Sequence, residues 1–385
     1  MPIPVPPKSE LTPADLRRYA RHILLPEVGS EGQRRLKSAS VLVVGVGGLG
    51  SPASLYLAAA GVGHLGLVDG DVVDESNLQR QVLYATAEVG TPKVAAARER
   101  LHALNPHIHL DTYPQRLTAE NAWDIIAQYD IIVDGTDNFA ARYLLNDTAV
   151  LQGKPFVYGS IARFDGQVSV FYAAQGPCYR CVFAKPPGTA QNCAEAGVLG
   201  ALPGVIGTLE ATEALKLILG IGNPLIGRLL LYDALAMQFD IIRLRKNPQC
   251  KVCGEHPEIT SIEPGYEAAA CAQAAEPDLP ADANLSPEAL AERLAGPHPP
   301  LIIDVRSPQE FALAHLPGAR NIPLERLASH LHTLPQETDI VAVCRRGRRS
   351  AQAVAQLRAN GLQRSYRLKG GLQAWRDAVA PDFPI

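Results

Sequence analysis

Cysteine carries the first chemical signal of this chain. Cys178 and Cys181 form one Cys-x-x-Cys pair, and Cys250 and Cys253 form another. Two tight turns bearing two thiolates each match the four soft ligands that tetrahedral zinc requires, and four protein ligands leave no position for water, so such a metal is structural. Pro248 ahead of the second pair and Gly254 behind it suit a knuckle turn. The competing readings are a redox dithiol, which needs a separate explanation for each pair, and buried free thiols. A fifth cysteine opens the run Cys344-Arg345-Arg346-Gly347-Arg348-Arg349, after the apolar stretch Ile340–Val343 and before a helical pattern that begins near Ser350. A sulfur placed at a helix N-terminus among arginines is stabilised as a thiolate or persulfide anion. Cys193 lies outside both pairs, in Gln191-Asn192-Cys193-Ala194-Glu195, where its plain reading is a small buried apolar residue. Cys271 has no sequence partner and no assigned role.

A different chemistry is written in Gly45-Val46-Gly47-Gly48-Leu49-Gly50. Gly45, Gly47 and Gly50 permit a tight turn and close approach of backbone to phosphate, while the following helix offers its N-terminal N–H groups. Asp69 falls where an acidic residue meets a ribose hydroxyl. On these residues alone a nicotinamide dinucleotide is the default ligand. The downstream residues move the balance: Asp71, Asn77-Leu78-Gln79-Arg80-Gln81, Lys93 and Asp134-Gly135-Thr136-Asp137-Asn138 place cations and carboxylates near the same sheet edge. Two fixed cations suit a triphosphate and an acidic residue can hold magnesium. The plain alternative makes Arg80 and Lys93 solvated surface charges and Asp134 and Asp137 helix caps.

These residues need a scaffold. From Val41 to about Asp240, β-rich runs alternate with helical patterns, which reads as an α/β fold with a mostly parallel sheet and helices on both faces. Expected strands are 41–44, 65–68, 131–133, 156–158, 168–171 and 229–232; Asn138 or a neighbour caps a helix through Leu145, and Gly207 to Leu219 has helical spacing. Residues 263–284 are rich in Ala, Pro, Glu and Asp and read as a flexible linker. Beyond it, strands at 301–304 and 340–343 and helices at 350–360 and 372–376 predict a second, smaller α/β domain, 285–385.

The chain has 385 residues, 47% of them hydrophobic, and a formal net charge of -3. That balance gives no global reason to expect nucleic-acid binding, so any basic patch must be local. Val41 to Val68 lacks Asp, Glu, Lys and Arg, yet its glycines and Ser51-Pro52 break it into strand, turn and helix, so no membrane span is expected. The opening MPIPVPPKSE has no apolar core, and a cytoplasmic location with reduced thiols follows as an expectation.

The succession Arg18-Tyr19-Ala20-Arg21-His22, GVGGLG, Asp69-Gly70-Asp71, NLQRQ, Lys93, DGTDN and paired Cys-x-x-Cys resembles the MoeB/ThiF group of ubiquitin-activating-enzyme-like adenylyltransferases, over about Leu11 to Pro257. The resemblance implies an adenylyltransferase domain, 1–262, in which Gly48 lies against ATP and Asp69 binds ribose. It also implies that Asn77, Arg80 and Lys93 contact the nucleotide phosphates and that Asp137 serves Mg2+ and the reacting centre. Arg21 would reach into the neighbouring subunit of a homodimer, and Cys193 would accept an acyl group or resolve a persulfide linkage.

Ile303-Asp304-Val305-Arg306-Ser307-Pro308 and His315-Leu316-Pro317-Gly318 resemble the signature segments of rhodanese-type sulfurtransferases, over about Leu285 to Ile385, with Ala314 where many have glycine. Tyrosine-phosphatase-like loops place five residues between cysteine and arginine; Arg349 leaves four, which favours sulfur over phosphate. Asp304, Arg306 and His315 are expected to be structural.

Together these resemblances imply adenylation of the C-terminal carboxylate of a ubiquitin-like sulfur-carrier protein ending in Gly-Gly. A persulfide on Cys344, charged by thiosulfate or a cysteine desulfurase, would then yield a thiocarboxylate. The rivals are an NAD(P)-dependent oxidoreductase fused to a sulfurtransferase and a non-catalytic scaffold for ubiquitin-like folds.

Overall fold

A computed structural model describes residues 5–184, 197–263, 277 and 279–384. The chain divides into two compact units, Met1–Gln273 and Ala274–Ile385.

The first unit is built on eight strands: β1 (Ser40–Val44), β2 (His64–Val68), β3 (His109–Tyr113), β4 (Ile131–Asp134), β5 (Phe156–Ala162), β6 (Asp165–Phe171), β7 (Arg228–Asp233) and β8 (Gln238–Arg243). Their order is β3-β2-β1-β4-β5-β6-β7-β8. The pairs from β3 to β5 are parallel and those from β5 to β8 antiparallel. Strand β1 alternates Val41 and Val43 into one core with Leu42 and Val44 into another, the pattern of a central strand buried on both faces.

Helices α1 (Gly50–Ala60), α2 (Lys93–Leu104) and α5 (Leu202–Leu219) contribute Leu57, Leu101 and Leu217 to the first core. Helices α3 (Ala119–Ala127) and α4 (Phe139–Leu151) contribute Ile125 and Leu144 to the second. Strand order reverses at β1, with β2 on one side and β4 on the other, which makes the C-terminal ends of β1 and β4 the switch point where α/β sheets bind ligands.

The expected strands all form. Two others had no legible period: β3, whose residues are half-buried or exposed at the sheet edge, and β8, exposed along its length. Asn138 caps α4 by accepting from the Ala141 N–H at 2.9 Å, and the helix runs to Leu151, past the expected Leu145. Helix α5 begins at Leu202, five residues before Gly207, with Pro203 in its first turn.

The second unit carries β9 (Asn284–Leu285), β10 (Leu301–Asp304), β11 (Arg320–Asn321), β12 (Ile340–Val343) and β13 (Ser365–Leu368), all parallel, in the order β11-β10-β12-β13-β9. Most of the segment 263–284 lies outside the described residues. Its last four residues, a short turn at Ala281–Ala283 and then Asn284, belong to the second unit, with Ala283 buried in its core. No described helix is long and apolar enough to cross a membrane.

Candidate active sites and cysteine cluster

The glycine-rich turn leaves the end of β1 at the switch point. Gly45 adopts φ +84°, its N–H donates to the Val68 carbonyl at 2.7 Å, and the Gly135 N–H donates to Val44 at 2.8 Å. Asp69 accepts from the N–H of Val46 and from that of Asp71, each at 2.9 Å. It thereby shapes the turn and keeps lone pairs for further donors. Burial raises its pKa, against the opposing charge of Lys93. Tyr84, unnoticed in the sequence, is buried and donates to the Val46 carbonyl at 2.7 Å, so Val46 is held from both sides.

Lys93 opens α2 and is only 5% exposed; its Nζ reaches Asp71 at 3.3 Å. The solvated-charge reading therefore fails for Lys93. Arg80 is half-buried, donates to the Ser76 carbonyl at 3.0 Å and runs beside Gly48, where a β-carbon would lie 3.8 Å from Arg80 Cδ. Asn77 accepts from Gln81 Nε2 at 2.9 Å, and Gln81 keeps a buried Oε1 with no partner beside Gly47. At Gly50 a side chain would overlap the Gly45 carbonyl. The predicted Gly45, Gly47, Gly48, Gly50, Asp69, Asp71, Asn77, Arg80 and Lys93 are thus gathered around one turn. Arg21 is exposed on the short helix Ala20–Ile23, tied to this turn by no hydrogen bond or ion pair among the described residues.

The two carboxylates of DGTDN have different fates. Asp134 is fully buried and accepts from Arg142 Nε at 3.1 Å and from Thr136 N–H and Oγ1. Arg142 also donates to the Thr136 and Gly159 carbonyls at 2.9 and 3.3 Å, locking the loop onto β5. Asp137 is exposed at the mouth of that loop. Against Gly159 of β5, Glu210 on α5 is fully buried, and neither carboxylate oxygen has a partner. Burial, then the Asp134 charge, raise its pKa well above the ordinary range.

The four knuckle cysteines converge. Their Sγ atoms stand 3.8 Å (Cys178 to Cys181), 3.5 Å (Cys178 to Cys250), 3.4 Å (Cys181 to Cys253) and 3.3 Å (Cys178 to Cys253) apart. A tetrahedral ion with bonds of about 2.3 Å to sulfur sets edges of about 3.8 Å, so the residues present fit a metal with small adjustment. Hydrogen bonding from Cys178 lowers the pKa of Cys181 and of Cys250, while donating those bonds raises that of Cys178. Between the first two ligands, Arg180 pairs at 2.8 Å with Asp147, fully buried on α4, and the Tyr179 N–H donates to Asn146 at 2.7 Å. The cluster is thereby bolted to the helix that Asn138 caps.

In the second unit, Cys344 follows β12 and is 2% exposed. Its sulfur accepts from the Gly347 N–H at 3.2 Å and the Ser350 N–H at 3.4 Å, at the start of α6 (Arg348–Ala359). Gly347 turns the chain at φ +94°. Arg349 is held by Glu310 at 2.7 and 2.8 Å; burial opposes ionisation of Glu310, but Arg349 outweighs it and lowers the pKa. Arg345 is half-buried, and Arg346 and Arg348 are exposed. Asp304 and Arg306 form a buried ion pair at 2.6 Å, and the exposed His315 stacks on Phe311. Ser350 and Glu310 were missed because neither carries a sequence signal of its own. Cys193 and Cys271 lie outside the described residues.

Comparison with known proteins agrees with this division. The ThiF family matches residues 19–252, and the rhodanese-like domain matches 286–378. The chain is 45% identical over 396 residues to the probable adenylyltransferase/sulfurtransferase MoeZ of Mycobacterium tuberculosis, covering all of this chain and 98% of the relative. It is 57% identical over 253 residues to the sulfur carrier protein adenylyltransferase of Thermus thermophilus, covering 64% and 93%. To the adenylyltransferase and sulfurtransferase MOCS3 of Drosophila grimshawi it is 44% identical, covering 98% and 87%. Escherichia coli MccB, at 21% identity and a TM-score of 0.56 over 66% of this chain and 75% of its own, shares the fold of the first unit. The chain belongs to the ThiF family, carries a rhodanese-like domain, and is an adenylyltransferase and sulfurtransferase that uses ATP.

Proposed function

We propose that the first domain, 1–262, adenylates the C-terminal glycine carboxylate of a ubiquitin-like sulfur carrier, and that the second, 285–385, sulfurates it, with 263–284 joining them. The nicotinamide oxidoreductase and scaffold readings give way to the activities of the family. A carboxylate is a poor electrophile. Its oxygen attacks the α-phosphorus of ATP, pyrophosphate leaves, and the acyl-adenylate carries AMP as a good leaving group. Arg80 and Lys93 stabilise the charge building on the phosphates. Asp137 would hold Mg2+, and the turn from Gly45 to Gly50 with Asp69 holds the nucleoside end.

A persulfide on Cys344 then attacks the carbonyl carbon, expelling AMP and leaving an acyl persulfide. A thiol, Cys193 or an external one, cleaves the sulfur–sulfur bond and becomes disulfide-linked to Cys344, releasing the thiocarboxylate. External thiols then reduce that disulfide and leave as a disulfide themselves, which returns Cys344, and Cys193 where it took part, to the thiol. Thiosulfate or a cysteine desulfurase recharges Cys344. The four knuckle cysteines would hold Zn2+, which takes no chemical part. A cytoplasmic homodimer in which Arg21 serves the neighbouring subunit's site completes the reading.

The observation that carries it is the cradle of two N–H donors around the buried Cys344 sulfur. Incubation of Gly-Gly-ended carriers with the protein, ATP and thiosulfate should add the oxygen-to-sulfur mass difference to the carrier. Cys344→Ala should abolish that change and leave adenylation intact; thiocarboxylate formed at the normal rate would overturn the role of Cys344.

A further inference from the structure

At the start of β2 and β3, the opposite strand end from the glycine-rich turn, His64 and His109 are direct partners in the parallel register. Asp111, two residues further along β3, lies on the same face as His109. Its carboxylate bridges both rings: Oδ2 is 2.7 Å from His64 Nε2 and Oδ1 is 2.9 Å from His109 Nε2. The three ligand atoms lie within 4.8 Å of one another.

The arrangement is backed by a buried second layer. Opposite Asp111 the strand carries Gly66, and a side chain there would overlap the ring of Tyr129. The absence of that side chain lets Tyr129, 1% exposed, lie under the cluster; its hydroxyl donates to Asp111 Oδ2 at 3.4 Å and meets the Tyr113 hydroxyl at 3.1 Å. The outward side is open, because the His109 side chain is 67% exposed.

We infer that His64, His109 and Asp111 form a surface site for a divalent first-row transition ion such as zinc, separate from the four-cysteine cluster. Two imidazoles and one carboxylate are the donor set such ions prefer over calcium or magnesium. With bonds of about 2.1 Å at the tetrahedral angle, neighbouring ligand atoms stand about 3.4 Å apart, so the two imidazole–carboxylate separations of 2.7 and 2.9 Å open by about half an ångström to admit the ion. The ion replaces the proton at Nε2 of each neutral ring, whose tautomer then carries it on Nδ1. Tyr129 orients the carboxylate, the role that outer-layer donors play around metals.

Equilibrium dialysis of the full-length protein against zinc chloride, with bound zinc counted by mass spectrometry, tests this. Wild type should hold one more zinc per chain than His109→Ala at the same free zinc. Tyr129→Phe should weaken that extra zinc about tenfold. His109→Ala removes an exposed ring and leaves the core untouched, and an unchanged circular dichroism spectrum checks its fold. Equal zinc counts in wild type and His109→Ala would overturn the proposal. Because the readout is a difference between these two proteins, it does not depend on what the four cysteines hold.

Discussion

A β-carbon placed on Gly45 would lie 2.7 Å from the carbonyl oxygen of Gly135, and one placed on Gly135 would overlap the carbonyl oxygen of Gly45. The two glycines directly follow the neighbouring strands β1 and β4, so backbone packs against backbone at the base of the switch point. Gly135→Ala should therefore push the glycine-rich turn away from its clamp by Asp69 and Tyr84. Overpacking of this kind costs about 1–3 kcal/mol. ATP–pyrophosphate exchange should fall by orders of magnitude, while transfer of sulfur from thiosulfate to cyanide persists. Exchange at the wild-type rate would show that the turn tolerates the shift.

Asp134 and Asp137 are three residues apart and should respond oppositely to substitution. Asp137 is exposed, and Asp137→Ala should change thermal stability little, by about 0.5 kcal/mol or less, while stopping pyrophosphate exchange. Asp134→Ala leaves Arg142 buried without its carboxylate, which costs about 3–5 kcal/mol. Thermal melts of both variants beside the exchange assay check this. A destabilised Asp137→Ala or a fully stable Asp134→Ala would reverse the assignment.

Much of this was legible in the chain. The central strands announced themselves because burial on both faces demands continuous Val and Ile runs, as in β1 and β4. Strands β3 and β8 lie at the two edges of the sheet, where no apolar period is imposed, and HLDTY or QFDIIR gives none. At the sites, residues defined by local spacing were found: the glycines, the paired cysteines and the Cys344 loop. Those that act through tertiary contact were not. Tyr84 reaches Val46 across 38 positions and Glu310 reaches Arg349 across 39, and no local spacing reports such a meeting. The plain reading takes Asp134 and Asp137 alike as helix caps, because adjacency in sequence does not report which carboxylate turns inward.

The four-cysteine cluster is joined through Arg180 and Asp147 to α4, and the loop bearing Asp137 leads into that helix. Loss of the Zn2+ proposed for this cluster should therefore be felt at the adenylation site. Cys250→Ser, or prolonged treatment with a strong chelator, should lower the melting temperature and reduce pyrophosphate exchange. Sulfur transfer by Cys344 should remain near wild type, since the second unit has its own cores. Retention of full exchange after metal loss, checked by metal analysis, would show that the cluster does not brace the helix.

Glu210 supplies a pH signature. Its carboxyl is enclosed, touches the backbone at Gly159, where any side chain would overlap it, and has no hydrogen-bond partner. Burial raises its folded-state pKa well above the ordinary value of 4.5. The unfolded chain releases this proton more readily than the folded one, so the folded state binds more protons between the two pKa values. Its contribution is thus fully present below the unfolded pKa and is lost as pH rises toward and through the folded one. Glu210→Gln keeps the shape and cannot ionise. The variant should gain stability relative to wild type on going from about pH 5 to about pH 8, with the two converging toward the acid end. Melting temperatures of both proteins across that range measure the effect. A wild type that gained on the variant with rising pH would show that the carboxylate is charged and satisfied in the fold.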